Sequence, residues 1–171
     1  MKDKVRGKVL KYGDNINTDI ISPTQYMELS IAEASKHAMS AIDPEFSSKV
    51  RPGDILVAGR NFGSGSSRET SPLNLKYLGI ETIVANFFAR IFYRNCINLG
   101  ILAVECADTD CIGNGDVIEI DLAQGRILNL TRNESYPCSR IPVHILPLIE
   151  AGGLVPYLKN TISLTTGGEQ Q

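Results

Sequence analysis

The segment Gly59-Arg60-Asn61-Phe62-Gly63-Ser64-Gly65-Ser66-Ser67-Arg68-Glu69 concentrates the side chains of this sequence best suited to chemistry. Two adjacent hydroxyls, a guanidinium and glycines that let backbone N–H groups face a ligand suit an anion, either a carboxylate or a phosphate. Arg68 can grip a carboxylate through two parallel hydrogen bonds, which a lysine cannot do. A serine hydroxyl among such dipoles can be stabilised as an alkoxide and act as a base rather than a nucleophile. The same serines could instead cap a helix, with Glu69 completing a capping box.

Three familiar loops fit this segment poorly. A Walker-type phosphate loop needs a lysine before its Ser or Thr, and none is present. A dinucleotide fingerprint needs G-x-G-x-x-G, but after Gly63 and Gly65 the third glycine position is Arg68. A nucleophile elbow needs G-x-S-x-G and a histidine base, and only His37 and His144 exist.

The apolar run Ile55-Leu56-Val57-Ala58 ahead of the glycines reads as a buried strand, within a strand over 54–58. Ser71 to Leu78 after them reads as a helix with Pro72 in its first turn and Gly79 at its end. Glu81–Ala85 and Ile101–Val104 read as further buried strands. Between them the apolar spacing predicts a helix over 87–99, with Phe88, Ile91, Phe92 and Cys96 on one face and Gly100 past its end. This succession predicts an α/β arrangement with parallel pairing. Lys8–Tyr12 alternates like an earlier strand, Asp19–Pro23 reads as a short extended piece, and the Ala-rich stretch 30–40 reads as a loosely packed helix. Farther on, Asp116–Leu122 and Ile127–Leu130 flank a turn at Gln124-Gly125-Arg126, a hairpin pattern. The prolines in Ile141–Leu148 predict an edge or connecting element. A last short helix over 149–159 is broken at Gly152-Gly153, and a polar tail runs from about residue 165.

Composition limits the function classes. The 171 residues are read as one domain, 1–171, with 43% hydrophobic and 21% charged residues. A formal net charge of -2 leaves no electrostatic footprint for nucleic acid or an anionic membrane. No apolar stretch approaches the roughly 20 residues of a membrane span. The start of the chain lacks the apolar core of a signal peptide, so a cytoplasmic location is expected. Cys96, Cys106, Cys111 and Cys138 form no C-x-x-C pair and lie outside familiar zinc spacings. They read as reduced, mostly buried thiols, and no metal is expected on this chain.

Several segments in order resemble one family. Tyr12-Gly13-Asp14-Asn15-Ile16-Asn17-Thr18-Asp19-Ile20-Ile21-Ser22-Pro23, the glycine-rich segment 59–69, Ala85–Asn95, Asn98–Leu102, Gly115-Asp116 and Glu150–Leu154 are similar to the motifs of the aconitase swivelling-domain family. Within that family they resemble the free-standing small subunits of 3-isopropylmalate dehydratases. The resemblance implies a three-layer β/β/α swivelling domain. It also implies a hydro-lyase that is active only with a separate large subunit, in a heterodimer or heterotetramer. There a [4Fe–4S] cluster on the large subunit binds a small di-carboxylate substrate, and the small subunit closes over it. Carried across, Ser66 would take the proton next to a carboxylate, Arg68 would bind a carboxylate, Asp19 would sit near Ser66, and Ser67 and Gly65 would shape the substrate loop. The implied reaction interconverts 2-isopropylmalate and 3-isopropylmalate by loss and re-addition of water, a step of leucine biosynthesis.

The sequence departs from the family pattern at two places. Thr70 stands where a histidine commonly follows Arg-Glu. Tyr26-Met27-Glu28-Leu29 aligns with the loop that reads the substrate's side group and carries no arginine, which favours a small or apolar group, while Glu28 either disfavours a further carboxylate or faces solvent. Related dehydratases of methyl-substituted malates, such as citramalate or 2,3-dimethylmalate, therefore stay open. So does a non-catalytic anion-binding module, whereas the scarcity of histidine argues against an independent serine hydrolase.

Overall fold

Strands covered on both faces need no polar side, and this governs the centre of the molecule. The computed structural model describes residues 3–166. In chain order the elements are β1 (Lys4–Lys11), α1 (Thr18–Ile21), α2 (Ile31–Ala34), α3 (Phe46–Lys49), β2 (Ile55–Val57), α4 (Thr70–Leu78), β3 (Thr82–Ala85), α5 (Arg90–Asn98) and β4 (Leu102–Glu105). They continue with β5 (Val117–Asp121), β6 (Arg126–Asn129), β7 (Glu134–Pro137), α6 (Leu146–Glu150) and α7 (Leu154–Thr166).

The strands form one sheet in the order β4-β3-β2-β1-β5-β6-β7. Strand β1 belongs to both halves of it. Its residues Val9–Lys11 pair in parallel with Ile55–Val57, whereas Lys4–Lys8 pair antiparallel with Asp121–Val117. β2, β3 and β4 continue in parallel, and β5, β6 and β7 continue antiparallel. The sheet curls, so that Val9, Ile55, Val57, Val84, Leu102 and Val104 of the parallel half share one core with Ile118, Ile120, Ile127 and Tyr136 of the antiparallel half. The opposite face of the parallel half, with Leu10, Leu56, Ile83 and Ala103, packs on Phe46, Leu75, Phe92 and Cys96 from the helical layer. Helices, parallel strands and antiparallel strands are thus three layers. The curl brings the outer ends of the sheet together: Ser139 N donates to Glu105 O (2.8 Å) and Glu105 N to Ser139 Oγ (2.9 Å).

The parallel strands, the β5–β6 hairpin and the helix ended by Gly79 (φ +108°) lie where the pattern predicts. Several expectations need correction. Asp19–Pro23 is not extended: residues 18–21 form α1, because Asn17 caps it through Oδ1 to Ile20 N (2.9 Å). The helix expected over 30–40 breaks into α2 and a 3-10 turn at Ser35–His37, before Met39 takes φ +61°. α5 starts at Arg90, so Phe88 precedes it, and Ile91 faces away from Phe92 and Cys96 with half of its surface exposed. β7 has no counterpart in the predicted pattern. The stretch read as an edge or connecting element over 141–148 is connecting over 141–145 and then enters α6, which accepts Pro147 in its first turn, and the last helix runs over 154–166. The break between them at Gly152-Gly153 stands as predicted. Most of the polar tail expected from about residue 165 lies outside the described residues.

Candidate active site

The loops leaving the C-terminal ends of β1 and β2 are laced together by backbone hydrogen bonds. Gly59 N donates to Gly13 O (3.0 Å), Asn15 N to Arg60 O (2.8 Å), Gly63 N to Ile16 O (2.8 Å) and Thr18 N to Ser64 O (2.8 Å). Asp14 adds a side-chain link, accepting from Arg60 N at 2.7 Å. This ladder holds the glycine-rich turn against the start of α1. Gly63 has φ +83°, and a Cβ there would lie 2.2 Å from the Phe92 ring. Gly65 has φ +112°, and its Cβ would lie 2.9 Å from Thr18 Oγ1. Both positions therefore require glycine, one to seat the turn on α5 and the other to let Ser66 approach α1.

Five side chains converge there. Arg68 Nε donates to Ser66 Oγ (2.8 Å), one terminal nitrogen donates to the Asp19 carboxylate and the other to Met27 Sδ (3.0 Å). Thr18 Oγ1 lies 3.3 Å from Ser66 Oγ. The Arg68 side chain is only 14% exposed, whereas Asp19 is 67% exposed. The cation is thus fixed in the protein wall and its counter-charge stands in solvent. Because Arg68 donates to Ser66 Oγ, the serine's own proton points elsewhere, and an oxygen that lost it would sit beside a fixed positive charge. Behind the site, Asn74 Nδ2 donates to the buried Ser22 Oγ (2.8 Å), and Ser71 Oγ lies 3.4 Å from Thr18 O. Thr70 Oγ1 and Asn74 Oδ1, one turn apart on α4, are buried without a partner.

Of the residues singled out in the sequence, Ser66, Arg68, Asp19 and Met27 meet, and Gly65 makes their meeting possible. Ser67 is exposed beside them. Tyr26 turns away and stacks on His37, with ring centroids 3.7 Å apart. Glu28 and Leu29 are exposed on the same loop. The capping alternative fails, because α4 begins at Thr70 with Glu69 at its cap position and no side-chain cap bond, leaving the two serines outside the helix. Sequence reasoning gave Thr18 no role at the site. Asn17-Thr18-Asp19 carried the signal for Thr18, since a cap residue fixes where the next side chains point.

Residues 2–109 match the family Aconitase C-terminal domain. The chain is 48% identical over 161 residues to the 3-isopropylmalate dehydratase small subunit of Halothermothrix orenii, covering 93% of this chain and 98% of that one. It is 44% identical over 165 residues to an isopropylmalate/citramalate isomerase small subunit of Methanocaldococcus jannaschii, covering 95% and 98%. The crystal structure of a 3-isopropylmalate dehydratase from the same archaeon superposes with a TM-score of 0.89 at 40% identity, over 96% of this chain and 98% of that one. The chain belongs to the aconitase C-terminal domain family, with the 3-isopropylmalate dehydratase small subunits. The three layers described above are the aconitase-type swivelling domain.

This aconitase-type domain does not provide a seat for an iron–sulfur cluster among its described residues, because no three His, Cys, Asp or Glu side chains there are grouped to hold a metal ion. Burial pushes the thiols of Cys96 and Cys106 up, which disfavours the thiolate that a metal needs. No helix among the described residues is long and apolar enough to cross a membrane.

Proposed function

We propose that this chain, acting as one swivelling domain, is the closing subunit of a hydro-lyase that interconverts 2-isopropylmalate and 3-isopropylmalate. The observation that carries the reading is the asymmetric Arg68 site, with a mostly sheltered guanidinium holding Ser66 and an exposed carboxylate that a substrate can replace. Ser66, deprotonated beside Arg68, takes the proton from the carbon next to a substrate carboxylate and returns it on rehydration. Arg68 exchanges Asp19 for a substrate carboxylate, which presents the same charge and the same two oxygens. Thr18 holds Ser66 in line, while Gly65 and Ser67 shape the turn around it. A [4Fe–4S] cluster held by the large subunit would supply the Lewis acid for loss of the hydroxyl. The chain is inactive alone because it contributes only the base and the carboxylate clamp.

The Tyr26–Leu29 loop stands over the same clamp through Met27, which offers an apolar surface to the side group of the substrate. A second reading, a dehydratase for citramalate or another methyl-substituted malate, is supported by the isopropylmalate/citramalate relative. Reconstitution with a cluster-bearing large subunit and a panel of 2-isopropylmalate, citramalate and 2,3-dimethylmalate separates the two. Preferred turnover of 2-isopropylmalate by the complex, with none by this chain alone, supports the first reading. Preferred turnover of a methyl-substituted malate supports the second. Turnover by the isolated chain contradicts both.

A further inference from the structure

The corner where the curled sheet closes on itself places two cysteines opposite each other. Cys106 follows β4 and directs its side chain to the same side as Leu102 and Val104, into the core between the two halves of the sheet. Cys138 follows β7 and, two residues after Tyr136, packs against that same core. β7 runs antiparallel to β1 through β4, by way of three successive antiparallel pairings. At this corner Ser139 N donates to Glu105 O at 2.8 Å and Glu105 N donates to the Ser139 hydroxyl oxygen at 2.9 Å. Their neighbours bond outward instead, Cys106 N to Ala85 O and Cys138 N to Gly125 O, each at 2.9 Å. Of the two Glu105–Ser139 bonds only the first is a backbone bond, the second being to the serine hydroxyl; between segments running antiparallel it sets Cys106 and Cys138 opposite each other with their own N–H groups bonded elsewhere. Such pairs bring Cα atoms to about 4.5 Å and side chains closest, within the range that a disulfide spans.

We infer that Cys106 and Cys138 are a dithiol site that oxidises to a disulfide joining the two outer ends of the sheet. The oxidant is a small-molecule disulfide. The half-buried Cys138, as thiolate, attacks one of its sulfurs and releases one thiol. Cys106 then loses its proton, attacks the mixed disulfide and releases the second thiol. Two S–H bonds are lost, one S–S bond forms, and the two electrons leave on the reduced reagent. Burial pushes the Cys138 thiol up to about 11, so the first attack is slow at neutral pH and quickens in mildly alkaline solution. Cys111, exposed on the adjacent 3-10 turn, is the competing thiol.

The test is incubation of the full chain with oxidised glutathione at mildly alkaline pH, alkylation of the remaining thiols, and peptide mapping. The expected product contains a Cys106–Cys138 cross-link, has lost two hydrogens in intact mass, and unfolds several degrees higher until dithiothreitol is added. Cys106→Ser should arrest the reaction as a glutathione adduct on Cys138, and Cys111→Ser should leave the cross-link intact. A lasting glutathione adduct on Cys138 in the unaltered chain overturns the inference. So does a cross-link through Cys111, or alkylation of both Cys106 and Cys138 after Cys111 has reacted.

Discussion

Two aspartate–arginine pairs occupy opposite halves of the sheet, and they are built in reverse. In the antiparallel half the carboxylate of Asp116 is the buried member, with a side chain 9% exposed against 47% for Arg132. It accepts from Gly113 N (2.8 Å), Asn129 Nδ2 (2.8 Å) and Arg132 Nε (2.9 Å). In the parallel half Arg68 is the more sheltered member and Asp19 stands in solvent. A buried carboxylate with three donors is a finished joint that ties a loop to two strands. A mostly sheltered cation with an exposed carboxylate is a joint open on one side, and an external carboxylate can take that place. Ion pairing alone therefore does not mark a site; which partner is desolvated does.

The largest effect is expected at Gly63→Ala, where strain at positive φ and collision with Phe92 should cost about 2–4 kcal/mol in chemical denaturation. An unchanged stability would remove the idea that this turn is pinned to α5. Asp116→Ala should cost about 1–3 kcal/mol, because Gly113 N and Asn129 Nδ2 lose their acceptor, with turnover of the reconstituted complex intact.

Asp116 also gives the comparison a pH dependence. Burial alone would raise its carboxyl, but the bonds from Asn129, Gly113 and Arg132 outweigh burial and hold it below the usual range. A carboxyl depressed on folding contributes its stability above the unfolded value, about 3.9, and loses it as pH falls through the folded value. Asp116→Asn should flatten that acid limb, and parallel acid limbs for the two proteins would contradict the assignment.

Arg68→Lys should leave folding unchanged and lower kcat/KM of the complex by about tenfold to a hundredfold, since a point charge replaces a fork. Arg132→Ala should be the mildest change, at most about 1 kcal/mol and without effect on turnover, because its guanidinium is solvent-screened.

Much of this contrast was legible in the sequence. The runs Ile55-Leu56-Val57 and Ile101-Leu102-Ala103-Val104 announced buried strands, and Ser66 and Arg68 were singled out where Asp19 and Met27 also meet them. The helix at Thr18–Ile21 was hidden, since Ile20, Ile21 and Pro23 favour extended backbone and only the Asn17 cap and the bond from Thr18 N to Ser64 O override them. The pairing of Asp19 with Arg68 joins residues 49 positions apart and depends on that hidden helix. β7 was equally hidden: Glu134-Ser135-Tyr136-Pro137 is polar, and its one buried side chain, Tyr136, gives no alternation to read. The closure at Glu105 and Ser139 follows from the curl of the sheet, which no local pattern encodes.

The central claim is that Ser66 is the base this chain brings to a site completed by another subunit. The direct measurement is turnover of 2-isopropylmalate by the reconstituted complex carrying Ser66→Ala, beside a measurement of complex assembly. Intact assembly is expected, with turnover lowered by at least about 10²-fold, the least that removal of a positioned base should cost. Turnover at the rate of the unaltered complex would contradict it.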